Sequence, residues 1–264
     1  MSVQLAALAD EVFGAAADQA RAGARMVRSA FGEIVWNPRF PGLFFLSGIA
    51  DLIAPDWAVE DLEQAFLETV PNPRAIRASS RDAATIARLG PLLADAGYQH
   101  EIRIAMIQVD PAPALSSAPR GTRIQISRVR KTSDWAAFET TVSADTAEHG
   151  WSREMTEQLF GLYRWRAEHT DHRYYLAFHD RMAVAHVGLF QHRTTAYLHG
   201  LFTLPSVRRR GIGSELTLAI REEAAASGCD RLCLQCVDDG YLPGYYHRIG
   251  FRPVGEQHIW TKLL

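Results

Sequence analysis

Apolar residues recur along this chain in two alternating rhythms. From Val3 to Val27 an Ala-rich stretch places Leu5, Leu8, Val12 and Phe13 on one side at three- and four-residue spacing, which predicts a first helix. Short apolar runs at Glu33–Trp36 and Leu43–Leu46, set off by Asn37-Pro38 and Pro41-Gly42, predict strands. Trp57–Thr69 shows Leu62, Phe66 and Leu67 on one face and predicts a helix. Arg74–Ala78 predicts a short strand, Ala83–Ala96 a helix stopped by Gly97, and His100–Val109 alternates as a strand.

Between Asp110 and Pro119 the pattern gives way to Pro, Ser and Ala, the composition of a linker. The expected organisation is therefore a smaller α/β domain over 1–110, a linker at 111–120 and a second domain over 121–264. The second domain opens with a strand at Ile124–Arg130 and helices at Asp134–Glu148 and Arg153–Glu168, with the Thr132-Ser133 pair placed to cap the first. Strands at Arg173–Phe178, Ala183–Phe190 and Thr195–Thr203, joined by short polar turns, predict an antiparallel meander. A helix from Gly213 to Gly228, a strand at Asp230–Val237, a short helix at Gly244–Ile249 and a closing strand pair, Arg252–Val254 and His258–Leu263, follow.

The stretch from Leu201 to Ser214 reads as strand, basic loop with Gly211 and Gly213, then helix. Such a unit is an anion site, because free backbone N–H groups and the positive end of the helix dipole converge there and glycine lets a phosphate come close. By itself a Gly-x-Gly pair at a helix start is turn punctuation. The pattern is not Gly-x-Gly-x-x-Gly, and no Lys-Ser or Lys-Thr follows as a nucleoside triphosphate loop requires. What fits is Arg-x-x-Gly-x-Gly (Arg208, Gly211, Gly213) after a strand ending at Pro205, with Tyr246-His247-Arg248-Ile249-Gly250-Phe251 downstream as Tyr-x-x-x-Gly-Phe. In these two motifs the chain resembles the GNAT N-acetyltransferase superfamily over Ile124–Leu264.

The resemblance implies an α/β fold, a mixed and mostly antiparallel sheet flanked by helices, and acyl transfer from acetyl-coenzyme A to a primary amine of a small molecule. It implies that the main chain of Leu201, Phe202 and Thr203 holds pantetheine, that the amides from Arg208 through Arg209, Arg210, Gly211, Ile212 and Gly213 to Ser214 hold the pyrophosphate, and that Asp239 lies near the ligand. Tyr246 falls on the family's general-acid tyrosine; Tyr245 beside it fits a packing role better. The fifth-strand Glu of some members is Leu234 here, which cannot serve as a base. His199, in Tyr197-Leu198-His199-Gly200-Leu201, is similar in position to a histidine of the arylalkylamine N-acetyltransferases and is the candidate base, a satisfied strand histidine or a water chain being the alternatives. The first domain resembles the degenerate N-terminal half of some two-domain members, Ala96-Gly97-Tyr98 echoing Ile249-Gly250-Phe251. It carries no Gly-rich loop of its own, and its expected role is to shape the acceptor cleft or support a dimer.

Composition narrows the partners. A net charge of −2 over 264 residues supplies no overall attraction to nucleic acid or an acidic membrane. No apolar run reaches the ~18 residues of a membrane span, and Asp10 and Glu11 sit where a signal peptide needs its apolar run, so the expected location is the cytoplasm. Cys233 and Cys236 fall on one strand, where residues three apart face opposite sides. They and Cys229 therefore read as buried thiols, and no metal is expected. His169, His172, His186 and His192 lack ligand spacing and read as surface or hairpin residues. Trp151, between the first two helices of the second domain, reads either as a stacking surface for the acceptor or as a helix staple. Two other functions share the fold: transfer from a different donor such as aminoacyl-tRNA, and a non-catalytic coenzyme A-binding sensor or scaffold. The intact loop and Tyr246 favour catalysis.

Overall fold

The structure is a computed structural model and describes residues 3–53, 58–108 and 124–264; the expected linker lies outside them. In chain order the helices are α1 (Val3–Arg21), α2 (Val59–Thr69), α3 (Ala83–Asp95), α4 (Thr132–Glu148), α5 (Arg153–His169), α6 (Ile212–Ala226) and α7 (Leu242–Arg248). The strands are β1 (Arg25–Arg28), β2 (Glu33–Trp36), β3 (Gly48–Ala50), β4 (Ala75–Ser80), β5 (Gln99–Gln108), β6 (Ile124–Arg128), β7 (His172–His179), β8 (Met182–His192), β9 (Thr195–Thr203), β10 (Arg231–Val237) and β11 (Arg252–Leu263). They form one mixed, mostly antiparallel sheet in the order β1-β2-β3-β4-β11-β5-β10-β9-β8-β7-β6.

Four local expectations are corrected. The first helix ends at Arg21 rather than Val27, because Gly23 turns through φ +77° and the chain returns as the exposed edge strand β1. Leu43–Leu46 is not a strand: Phe40, Leu43 and Leu46 are buried at three-residue intervals, the period of a 3-10 turn, and the strand forms afterwards at Gly48–Ala50. Helix α4 begins after Lys131, and the Asp134 carboxylate, not Thr132 or Ser133, accepts from the amides of Lys131 (2.9 Å) and Arg130 (3.0 Å). The expected closing pair is a single strand, β11, with an irregularity between Pro253 and Gly255.

The first part of the chain repeats the second. The run β1–β2–β3–α2–β4–α3–β5 matches β7–β8–β9–α6–β10–α7–β11 in order and pairing sense, antiparallel twice and then parallel. The final strands are exchanged: β5 lies against β10 and β11 against β4, with β5 and β11 antiparallel to each other between them. The helices before these strands end alike. Gly97 (φ +85°) lets the Tyr98 amide reach Leu93 O at 2.9 Å, and Gly250 (φ +95°) lets the Phe251 amide reach Tyr246 O at 3.0 Å.

Side-chain alternation gives the sheet two unlike faces near β7–β10. On one, Leu198, Ala196, Val187 and Leu189 pack with Leu216 and Ile220 of α6 and with Tyr246 and Phe251. On the other, Tyr197 and Cys233 pack with Val12 and Phe13 of α1, while Tyr174 and Leu176 pack with Phe138, Leu159 and Leu162 of α4 and α5. Cys233 and Cys236 fall in different cores, as their spacing requires, and all three thiols are buried.

Candidate active site

Strands β9 and β10 run parallel for only three residue pairs, Arg231–Thr195, Leu232–Ala196 and Cys233–Tyr197, and then part. A bulge opens them. The β8–β9 register slips between His186 and Gly188, and Gly200, opposite that step, takes φ +58°. The main chain of Phe202 and Thr203 thus pairs with β8 on one side, Leu201 falls in the bulge, and all three lie beyond the last pair with β10.

Beyond Thr203 the chain makes a 3-10 turn at Pro205–Val207 and enters α6 through Arg209 (φ +65°) and Gly211 (φ +81°). These two left-handed residues turn the amides of Ile212, Gly213 and Ser214 outward at the helix start, where they have no intrahelical acceptor. The arginines differ in what they do. Arg208 is tied down: Nη1 and Nη2 donate to the Glu148 carboxylate at 2.9 and 2.5 Å and Nε donates to Thr203 O at 2.9 Å. It therefore joins the loop to the end of α4. Arg209 lies 5.5 Å over the Tyr241 ring, and Arg210 is exposed.

Both tyrosines pack on the core under α6, Tyr246 the more deeply. Tyr246 is 7% exposed, set edge-on to Phe251 at 5.6 Å; burial pushes its phenol far above the usual range, with Tyr245, Cys236 and Tyr197 adding to the shift. Tyr245 is only half-buried. Its hydroxyl reaches Ser214 Oγ at 3.5 Å and lies 2.9 Å from where a Cβ on Gly213 would stand. The sequence places two tyrosines on successive positions of a short helix, so one turns inward and the other over the α6 N-terminus.

On the opposite face of the splay stands His199. Its ring occupies the space a side chain at Gly188 would take, 2.2 Å from a Cβ there, and its Nε2 is buried without a partner. Burial lowers its pKa to about 3, with the charges of Arg166 and His186 acting in the same sense. Leu234 is buried on the other face, whereas Gln235 faces this one, where its Oε1 accepts from the Tyr197 hydroxyl at 3.4 Å.

The sequence pattern of the Acetyltransferase (GNAT) family matches residues 134–251. Those residues are a GNAT acetyltransferase domain. Solved structures share the fold well beyond that span. A functionally unknown conserved protein from Staphylococcus epidermidis has TM-score 0.69 and 14% identity over 91% of this chain and 94% of its own. A GCN5-related N-acetyltransferase from Kribbella flavida has TM-score 0.66 and 18% identity over 96% and 95%. A tandem GNAT protein from the clavulanic acid biosynthesis pathway has TM-score 0.54 and 12% identity over 91% and 83%. At these identities the likeness is one of fold. No curated relative matches the sequence.

In the GNAT domain, then, Tyr246 shares one core with Ile212 at the start of α6 and with Leu201 at the strand opening, and His199 alternates to the other face of the sheet. Asp239 does something local: its Oδ1 accepts from the amides of Tyr241 (2.9 Å) and Leu242 (2.7 Å) and caps α7. Trp151 stacks on Phe45 at 5.5 Å, the packing alternative of its two readings. The surface reading of His172 and His186 is corrected. They are 2% and 1% exposed because they alternate inward on β7 and β8, and His186 Nδ1 meets Thr141 Oγ1 at 3.0 Å. Sequence reasoning also passed over Arg166. A signal was present, since Leu159, Leu162, Tyr163 and Arg166 continue one stripe of α5 and put a charge where an apolar residue belongs. No helix among the described residues is long and apolar enough to cross a membrane, and no group of three or more metal-ligating side chains gathers among them.

The His199 environment makes a pH prediction. An unfolded histidine titrates near pH ~6.5, whereas the folded one is held at about 3. Above that upper value both states are neutral and His199 contributes nothing to pH dependence. Below it the unfolded chain takes up a proton that the folded chain refuses, so stability falls with pH down to about 3. His199→Gln is expected to move the midpoint of acid unfolding, followed by circular dichroism, to lower pH. A midpoint that stays or rises would refute this.

Proposed function

We propose that the protein is an N-acyltransferase that moves an acetyl group from coenzyme A to a primary amine of a small molecule. The observation that carries this reading is the meeting of a strand opening, a helix N-terminus entered through left-handed Gly211, and a buried phenol, Tyr246. The loop fits the donor: its first helical amides lack intrahelical acceptors, and the nearest side-chain atom to a Cβ on Gly213 among the described residues is the movable Tyr245 hydroxyl at 2.9 Å. The amides of Ile212 to Ser214 hold the pyrophosphate, with Arg209 and Arg210 beside them, and Arg208 positions the loop through Glu148. Asp239 contributes to the ligand side by fixing the start of α7.

The free main-chain edge at Leu201, Phe202 and Thr203 aligns pantetheine as an added strand would, and its N–H groups polarise the thioester carbonyl. Tyr246 stays protonated at every working pH and supplies a proton to the departing sulfur. His199 is neutral throughout that range. Its low pKa makes it a hydrogen-bonding partner for the incoming amine rather than a store for its proton.

The first part of the chain is read as a degenerate copy of the GNAT fold that binds no donor. Its counterpart of the pyrophosphate helix is α2, whose first turn carries Glu60 and Asp61. The Asp61 carboxylate already accepts from the Ala58 amide at 3.2 Å, so a phosphate would meet negative charge there. The test is thiol release from acetyl-coenzyme A over a panel of amines, amino acids, polyamines, aminoglycosides and peptides, with calorimetry for stoichiometry. Transfer to at least one amine and one donor per chain are expected. No thiol release with any amine, or two donor sites per chain, would overturn the reading.

A further inference from the structure

Arg166 is a buried charge that the proposed chemistry does not use. It is 2% exposed. One of its five N–H groups is spent on Gln19 O of α1, 2.8 Å from Nη2; its Nε has no partner, and none of the ion pairs formed among the described residues includes it. Burial lowers its pKa, yet a guanidinium remains cationic. A charge removed from water without a counter-ion is costly.

Other unsatisfied groups gather around it. The Tyr174 phenol lies against the guanidinium, while His172 Nε2 and His199 Nε2 are buried without hydrogen bonds. The His172 and Tyr174 rings lie 5.4 and 5.9 Å from the His199 ring. The Tyr163 hydroxyl stands 3.3 Å from where a Cβ on Gly200 would be, and Gly200 is exposed at the bulge that opens β9 from β10. Asp145, whose charge is felt at Tyr163, pairs with His186 and His149 at 3.6 and 3.2 Å and makes no ion pair with Arg166 among the described residues. Polar groups with one net positive charge are thus gathered between Gly200, at the bulge, and Arg166.

We propose that this cluster is the acceptor subsite and that Arg166 binds a carboxylate, so that the acceptor is an amino acid whose amine faces Gly200. The proposal rests on the acyl-transfer reading for the amine's fate. The acetyl C–S bond breaks and a C–N bond forms; the amine loses one proton to solvent, the sulfur gains one, and the carboxylate is unchanged. A guanidinium flanked by phenol and imidazole groups matches a planar monoanion. Leaving such a site without its anion is what makes it reject uncharged analogues.

The experiment compares the common L-amino acids with their own carboxamides on the full chain, by calorimetry in the presence of coenzyme A and by thiol release from acetyl-coenzyme A. At least one free acid is expected to exceed its carboxamide about 50-fold or more in both Kd and kcat/KM. Arg166→Met is expected to remove that preference through KM, and Arg166→Lys to restore part of it. The wild-type comparison decides the matter even where neither variant folds. Acids bound in preference but never acetylated would support the subsite and sink acyl transfer. Acids and carboxamides acetylated equally would overturn the subsite and leave acyl transfer standing, and no binding of any acid would also overturn it.

Discussion

Gly211→Val is expected to weaken coenzyme A binding by at least about tenfold while leaving the chain folded. Gly211 sits at the entrance of α6 with φ +81°, a conformation that a residue with a Cβ adopts at a cost of roughly 1–2 kcal/mol and a β-branched one adopts less readily still. Either the valine keeps this φ and its methyl groups stand where the pyrophosphate must approach, or the loop relaxes and the amides of Ile212 to Ser214 turn away. Both routes remove hydrogen bonds to a charged group, worth roughly 1.5–3 kcal/mol each, which is about one to two decades in Kd. The chain survives because the loop is exposed and the α6 core contacts, through Ile212, Leu216 and Ile220, are untouched. Calorimetry gives the affinity and thermal melting the fold. A folded Gly211→Val protein with wild-type affinity would remove the pyrophosphate from this loop.

The loop proposed to hold the donor was legible in the sequence because its requirements are local. A left-handed glycine, a helix start and a run of amides need a handful of consecutive residues, and Arg208 to Ser214 display them in order. The meander and α6 were legible for the same reason, each being set by the period of its own apolar residues. The strand exchange was not. Nothing in the alternation of His100–Val109 says that β5 will pair with β10 rather than β4, since either neighbour buries the same residues; only the two similar Gly-aromatic endings at Gly97-Tyr98 and Gly250-Phe251 hinted at a repeat. The proposed acceptor side stayed hidden because its members lie far apart in sequence. Arg166, His172, Tyr174 and His199 come from α5, β7 and β9, and α1 is joined to them by the bond from Arg166 to Gln19 O. An isolated histidine on a strand gives no sign of whether its partner is water, protein or substrate.

Tyr246→Phe is expected to lower kcat by about 100-fold, the low end of what a positioned proton donor contributes, with the donor Kd changed by less than about twofold. The phenylalanine ring keeps the edge-on contact with Phe251 and the packing under β10, so the variant isolates the hydroxyl. That hydroxyl is needed only when the sulfur departs, which is why binding is spared. Because burial pushes the phenol well above its usual range, no deprotonation of Tyr246 limits the rate on the basic side of the pH profile. The neighbouring tyrosine supplies the control. Tyr245 reaches Ser214 at the start of α6, the proposed pyrophosphate site, so Tyr245→Phe is expected to alter donor affinity severalfold and leave kcat near the wild-type value. The two variants thus separate chemistry from binding at adjacent positions. If Tyr245→Phe lost the turnover and Tyr246→Phe kept it, the proton donor would be the residue over the helix terminus, and the pantetheine sulfur would have to lie on that side of α7.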